Sequence, residues 1–192
     1  LLAAARQAGA GRVVHVSSMA AIGCTDDPAR ILDEDDPYTD LAGQYAYSRS
    51  KRLGHEAALA AAEGGQDVVI ACPGFVIGPG DVNHVSTHAV GAYLKGQLRT
   101  LQPGGLTYVD ARDVVDGLVL AAERGAAGRP YILSAPDGHL DHPAFFRKVG
   151  EQSGRPRRTV TLPSALLVPS ARLAGRLHLP VLPLPPEEIA SS

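Results

Sequence analysis

Only two cysteines, Cys24 and Cys72, occur among the 192 residues, and neither stands in a CxxC or a Cys/His ligand spacing. That excludes a disulfide framework and sets a reducing, cytoplasmic compartment as the expectation. No apolar run approaches the roughly 18–20 residues of a membrane span, and no basic n-region stands before Leu1–Ala5, so no membrane partner is expected. Positive charge is also scarce: 18 basic against 20 acidic residues leave a net charge of −2. Nucleic-acid binding, which needs a basic surface to meet phosphates, loses its basis. Glycine and proline make up 36 of the 192 residues, below the roughly 25–30% of low-complexity chains and enough for a fold with many turns. Arginine outnumbers lysine fifteen to three, a bias that points to a GC-rich bacterial genome and carries no chemistry.

What is there reads as alternating strands and helices. Leu1–Gly9 looks like the end of a helix stopped by Gly9 or Gly11. Arg12–Ser18 is a short β-branched run of the kind buried on both faces of a parallel sheet. After an Asp- and Pro-rich loop, residues 40–63 predict a long helix ending at Gly64-Gly65, and Val68–Cys72 a second buried strand closed by Pro73-Gly74. Strand, long helix and strand make a βαβ unit with a right-handed crossover. Beyond Gly80 the elements shorten: a helix near 84–96, a turn at Pro103–Gly105, a strand at 106–109, and a helix over 111–124 with Asp110 as N-cap. A strand at 131–134, a helix over 142–153, a strand at 159–162 and a helix over 164–178 follow. Four prolines between Leu179 and Pro186 exclude regular structure there.

Chemistry concentrates in Tyr47-Ser48-Arg49-Ser50-Lys51. On a helix, positions i and i+4 share a face, so the phenol and the ammonium converge. A fixed cation favours phenolate and brings a tyrosine toward the range where it exchanges protons with an alcohol or ketone. The spacing alone is weak, and an exposed Tyr/Lys pair explains it equally well. Two neighbours change the balance. Ser17-Ser18 and Pro73-Gly74 stand at the carboxyl ends of consecutive strands, the edge where open α/β sheets place ligands. The Ser18 hydroxyl there can bond the oxygen that Tyr47 protonates, and a glycine admits a flat ring close to the backbone.

Val13–Gly23, Tyr47–Lys51 and Ala71–Asp81 together resemble the extended short-chain dehydrogenase/reductases, the NAD-dependent epimerases and dehydratases. Tyr108–Val115 and Gly128–Leu133 are similar to stretches of the dihydroflavonol 4-reductase-like branch. The likeness covers about residues 1–165. It implies an α/β fold in which residues 1–80 form the C-terminal part of a Rossmann dinucleotide-binding domain and 81–192 mainly a smaller mixed α/β substrate lobe, with 109–134 returning to the Rossmann side. It implies Ser18, Tyr47 and Lys51 as catalytic residues, and Ser17, Tyr47, Lys51, Pro73, Gly74, Phe75 and Val76 around an NAD or NADP nicotinamide. The implied partners are a small carbonyl or alcohol, or a sugar nucleotide, and a second copy in a homodimer. The implied activity is hydride transfer between a carbonyl and a secondary alcohol. Sugar-nucleotide epimerisation or dehydration is the alternative, and a non-catalytic nucleotide-binding protein or remnant the alternative of another class.

One departure stands out. The family's glycine-rich turn after its first strand is missing, since Gly9-Ala10-Gly11 precedes a strand. The chain is therefore expected to be an internal portion of a longer enzyme, inactive alone. Other constellations favour structural roles: His84 and His88 lack a third metal ligand, so no metal is expected; Asp141 before Pro143 reads as a helix cap among Asp137, His139 and His142; Asp113 reads as capping or hydrogen bonding; Asp33–Asp36 reads as a solvated loop; Cys72 reads as core.

Overall fold

The computed structural model describes residues 1–27, 29–39 and 46–163. In chain order the elements are α1 (Leu2–Gln7), β1 (Val13–Val16), a 3-10 turn (Met19–Ala21), α2 (Ala46–Glu63), β2 (Val68–Pro73), β3 (Phe75–Ile77), α3 (His88–Leu94), β4 (Thr100–Leu101), β5 (Gly105–Asp110), α4 (Ala111–Arg124), β6 (Pro130–Leu133), β7 (His139–Asp141), α5 (His142–Ser153) and β8 (Val160–Thr161). The expected helix over 164–178, the proline tail and the 40–45 start of the long helix lie outside the described residues.

Two units emerge. The first joins Leu1–Val76 to Val109–Ala135 and is built on a parallel sheet in the order β1-β2-β6. Val13 pairs with Val68 and Ile70 with Pro130, which makes β1-α2-β2 the expected parallel βαβ unit. Val68 to Cys72 are fully buried because both faces of β2 are covered. Val68, Ile70 and Cys72 form a cluster with Ala58 of α2 and with Ile22, while Val69 lies beneath the C-terminus of α4 at Gly125. Side-chain alternation assigns even positions of β2 to α2 and odd ones to α4. Each fully buried valine or isoleucine here contributes about 1.5–3 kcal/mol.

The acidic stretch is solvated as expected, with the Asp35 side chain 69% exposed, but it is also anchored. Glu34 accepts from the Ile132 N–H at 2.6 Å, Asp35 takes both arms of Arg129 at 2.7 and 3.0 Å, and Asp36 pairs with Arg30. Among the described residues β6 is an edge strand, and Glu34 satisfies a backbone donor that faces away from β2.

The second unit holds Ile77–Tyr108 and the described residues from Pro136 onward. Its core gathers Ala92, Tyr93, Leu98, Leu101 and Phe146. β5 pairs antiparallel with β7, and β4 parallel with β8. Phe145 of α5 stacks on Tyr108 with ring centroids 4.0 Å apart, and burial pushes the Tyr108 hydroxyl up to about 12. Asp141 caps α5 as expected, accepting from the Ala144 N–H at 2.6 Å, and Asp110 caps α4 through the Arg112 N–H at 2.8 Å. The other three members of that polar group also bond locally: Asp137 to Lys148, His139 to Thr107, and His142 to Tyr108.

α3 begins four residues later than the sequence predicts. The Asp81 carboxylate accepts from the N–H groups of Val85, Ser86 and Thr87 and from the Thr87 hydroxyl, at 2.8 to 3.1 Å, and His84 takes a positive φ of 51°. Residues 81–87 are thereby held as a side-chain-pinned loop, which leaves His84 off the helix that carries His88. These bonds lower the Asp81 carboxyl to about 2. A group with a depressed folded pKa stabilises above its unfolded value and loses that contribution as pH falls through the folded one. Amide exchange at Val85, Ser86 and Thr87 is therefore expected to stay protected down to about pH 4 and to accelerate as pH approaches 2, by more than the exchange at other loop amides.

Candidate functional site

The site residues from Ser17 to Val76 all belong to the first unit, and backbone chemistry explains why the sheet opens among them. Ile70 and Gly74 send their N–H groups to Arg129 and Leu133 on the β6 side. By alternation, residues 71 and 73 face β1. There Ser17 donates its N–H to the Ala71 carbonyl at 2.7 Å, and the next β2 position on that side is Pro73, which has no N–H to offer. The β1–β2 ladder therefore ends at Ser17, and the chain peels away at Ser18 into the 3-10 turn. The result is a parting of two strands at their carboxyl ends.

Ser18 has an extended backbone and accepts from the Ala20 N–H at 3.2 Å, capping that turn. A hydroxyl that accepts keeps its own hydrogen, so among the described residues the Ser18 O–H stays available as a donor. The turn is tied to α2 by Arg52, whose Nη1 donates to the Ala21 carbonyl at 3.1 Å while its guanidinium lies 4.5 Å from the Tyr38 ring centroid.

Tyr47 and Lys51 occupy the first turns of α2 on a shared face, with Lys51 Nζ 5.8 Å from the Tyr47 ring centroid. Tyr47 is 50% exposed. The Lys51 charge also reaches β1: His15 is half-buried, and burial first and Lys51 second push its pKa down. Pro73 is buried at the end of β2, and Gly74, Phe75 and Val76 are half-buried beyond it, with the Gly74 N–H held by Leu133.

Ser17 is placed differently from its neighbour. Its side chain is 4% exposed and its Oγ lies 3.2 Å from His55 Nδ1. That hydroxyl is turned into the sheet–helix interface, so Ser17 serves the strand end through its backbone. His55, itself 2% exposed, also has Cys72 Sγ 3.8 Å from the same nitrogen. Burial pushes the Cys72 thiol up to about 11, against the Ser17 hydroxyl and Ser18 N–H that face it, so the thiol is neutral and part of the core as expected. Burial also lowers His55, with Arg52 and His15 acting the same way, which keeps that ring uncharged at neutral pH. Sequence reasoning passed over His55. The available signal was its place two turns after Tyr47 and one after Lys51, a polar residue on an otherwise alanine-rich face. Among the described residues no group of three or more His, Cys, Asp or Glu could hold a metal ion, and no helix is long and apolar enough to cross a membrane.

With this geometry in place, comparison with known proteins is informative. Residues 1–134 match the model of the NAD dependent epimerase/dehydratase family. A putative dihydroflavonol 4-reductase from Synechocystis is 40% identical over 140 residues, 69% of this chain and 40% of the relative. A nucleoside-diphosphate-sugar epimerase from Pseudomonas aeruginosa superposes with a TM-score of 0.78 at 28% identity, over 92% of this chain and 57% of that one. A double mutant of a dTDP-glucose 4,6-dehydratase from Streptomyces venezuelae, solved with NAD bound, gives 0.67 at 26% identity over 84% and 51%. The chain thus spans about half the length of these relatives.

Proposed function

Because the chain belongs to the NAD-dependent epimerase/dehydratase family, we propose that it forms the reactive half of an NAD(P)-dependent oxidoreductase that interconverts a carbonyl and a secondary alcohol. The observation that carries this reading is the Tyr47–Lys51 pair, 5.8 Å from ammonium to ring, on the helix that is tied by Arg52 to the turn following Ser18. The residues fit a nicotinamide nucleotide. Lys51 offers a cation for ribose hydroxyls, the Ser18 hydroxyl keeps a hydrogen to donate, and among the described residues the β1–β2 ladder ends at the Ser17–Ala71 bond, before Pro73-Gly74.

In this reading Lys51 holds the nicotinamide ribose, and Gly74, Phe75 and Val76 border the ring. When bound, the cofactor supplies or accepts hydride. Ser18 donates a hydrogen bond to the substrate oxygen and polarises it. Tyr47 gives that oxygen a proton in the reductive direction and removes it in the oxidative one. Residues 1–80 with 109–134 are assigned to cofactor, and the remainder mainly to substrate.

Two relatives are named as a sugar epimerase and a dehydratase, and these are the reason to keep a second reading in which the same Ser18, Tyr47 and Lys51 start an epimerisation or dehydration. An assay of the active protein separates the two. A reductase oxidises NADH or NADPH in proportion to carbonyl consumed, read as loss of absorbance at the reduced nicotinamide. An epimerase or dehydratase converts a nucleotide sugar with no net change in cofactor. Failure of both, with cofactor binding retained, would favour a non-catalytic nucleotide-binding protein.

A further inference from the structure

The buried His55 makes contacts that the proposed chemistry does not use. It sits one turn beyond Lys51 and two beyond Tyr47 on α2, and from there its Nδ1 reaches Ser17 Oγ on the β1 side at 3.2 Å and Cys72 Sγ on β2 at 3.8 Å. Ser17 immediately precedes Ser18, and Cys72 immediately precedes Pro73-Gly74. One imidazole therefore touches the residue before each of the two strand ends that part at the site.

A buried ring nitrogen left without a partner costs free energy comparable to a lost hydrogen bond. The observed register of α2 along the sheet brings Nδ1 to both groups. A register shift of one residue would carry the ring about 1.5 Å along the axis and about 100° around it, away from them. A leucine or alanine at this position would offer Ser17 and Cys72 no polar partner, and apolar contact is not directional.

We propose that His55 is a positioning residue, fixing the register of α2 on the ends of β1 and β2 and so the placement of Tyr47 and Lys51 against Ser18 and Gly74. This inference rests on the Ser18/Tyr47/Lys51 reading for its catalytic consequence and on the buried hydrogen bonds for its structural one. Its two consequences are read separately.

The test compares His55→Leu with His55→Gln in the active protein. Glutamine spans the gap and offers both a donor and an acceptor, whereas leucine keeps bulk and offers neither. A misplacement of about 1 Å is enough to cost roughly a hundredfold in turnover. His55→Leu is expected to lower kcat by about that factor and to raise the KM for cofactor as Lys51 moves with the helix, and His55→Gln to recover to within about tenfold of the parent kcat. The structural readout is the nuclear magnetic resonance of the Tyr47 ring without substrate. Tyr47 lies about 12 Å along the helix from position 55, too far for the lost imidazole to act directly, so its signals move only if the helix moves. They are expected to shift in the leucine variant and to return in the glutamine variant.

Unmoved Tyr47 signals with parental kcat in a folded His55→Leu protein would overturn the inference while leaving the Ser18/Tyr47/Lys51 reading intact. Shifted and rescued Tyr47 signals in a protein whose Tyr47→Phe variant still turns over would support the positioning role and sink the catalytic reading. Should the leucine variant fail to fold, His55→Asn, too short to reach both partners, replaces it. Asparagine and glutamine variants with identical Tyr47 signals and kcat would then overturn the proposal.

Discussion

Tyr47→Phe is expected to lower kcat by about 10²–10⁴-fold, the usual contribution of a positioned acid or base, while the cofactor dissociation constant changes less than about threefold. Phenylalanine keeps the ring and its packing and removes the hydroxyl alone. The proton transfer acts in the transition state, so its loss appears in kcat and not in ground-state binding. Lys51→Ala should separate from it by weakening both, since the ammonium is assigned to the ribose as well as to the phenol. Steady-state kinetics of the active protein with calorimetric titration of NADH and NADPH decides. Near-normal turnover in Tyr47→Phe would remove Tyr47 from the mechanism, and an unchanged cofactor affinity in Lys51→Ala would remove Lys51 from the ribose.

The Tyr47–Lys51 pair was legible because its geometry is local: four residues on a helix fix a shared face whatever surrounds it. Ser18 and Pro73-Gly74 were legible because strand ends announce themselves where β-branched runs stop. His55 was harder to find, since its partners are 38 and 17 residues away and its helical spacing after Tyr47 and Lys51 marks the face it shares but not the groups it meets. Ser17 shows the reverse limit. It shares its composition and position with Ser18, and only the alternation of side chains along an extended backbone sends one hydroxyl into the core and leaves the other at the strand end.

The fold follows the same division. β1, α2, β2, α4 and α5 are long or strongly patterned, and both expected caps, Asp110 and Asp141, are in place. β3, β4 and β7 span two or three residues, too few for any period to register. The acidic loop is solvated as its composition says, but its anchoring was illegible because Glu34 and Asp35 find Ile132 and Arg129 at separations of 98 and 94 residues. Asp81 reset the start of α3 by offering three consecutive amides a carboxylate in place of the helical ladder. Such competition between side chain and backbone is invisible to a count of apolar residues.

Gly125→Ala is expected to destabilise the first unit by about 2–3 kcal/mol, in the range of overpacking a filled core. Gly125 has φ −63° and ψ 141°, angles that any residue adopts, so backbone strain is absent and packing alone is tested. A Cβ there would stand 2.5 Å from the Ala121 carbonyl oxygen and 2.5 Å from Val69 Cγ1. The carbonyl cannot yield, because it closes the last turn of α4 by accepting from the Gly125 N–H at 3.0 Å. Val69 cannot turn aside either, being fully buried on the central strand. Adding Val69→Ala to Gly125→Ala removes one of the two collisions. The double variant is therefore expected to be more stable than the sum of the single losses by at least about 0.5 kcal/mol, the interaction energy of residues in contact. Urea unfolding of the parent, the two single variants and the double variant measures it. Strict additivity would mean that α4 pivots away from β2 to absorb the methyl group, and that the close helix–sheet approach at Gly125 is not what holds α4 on this face.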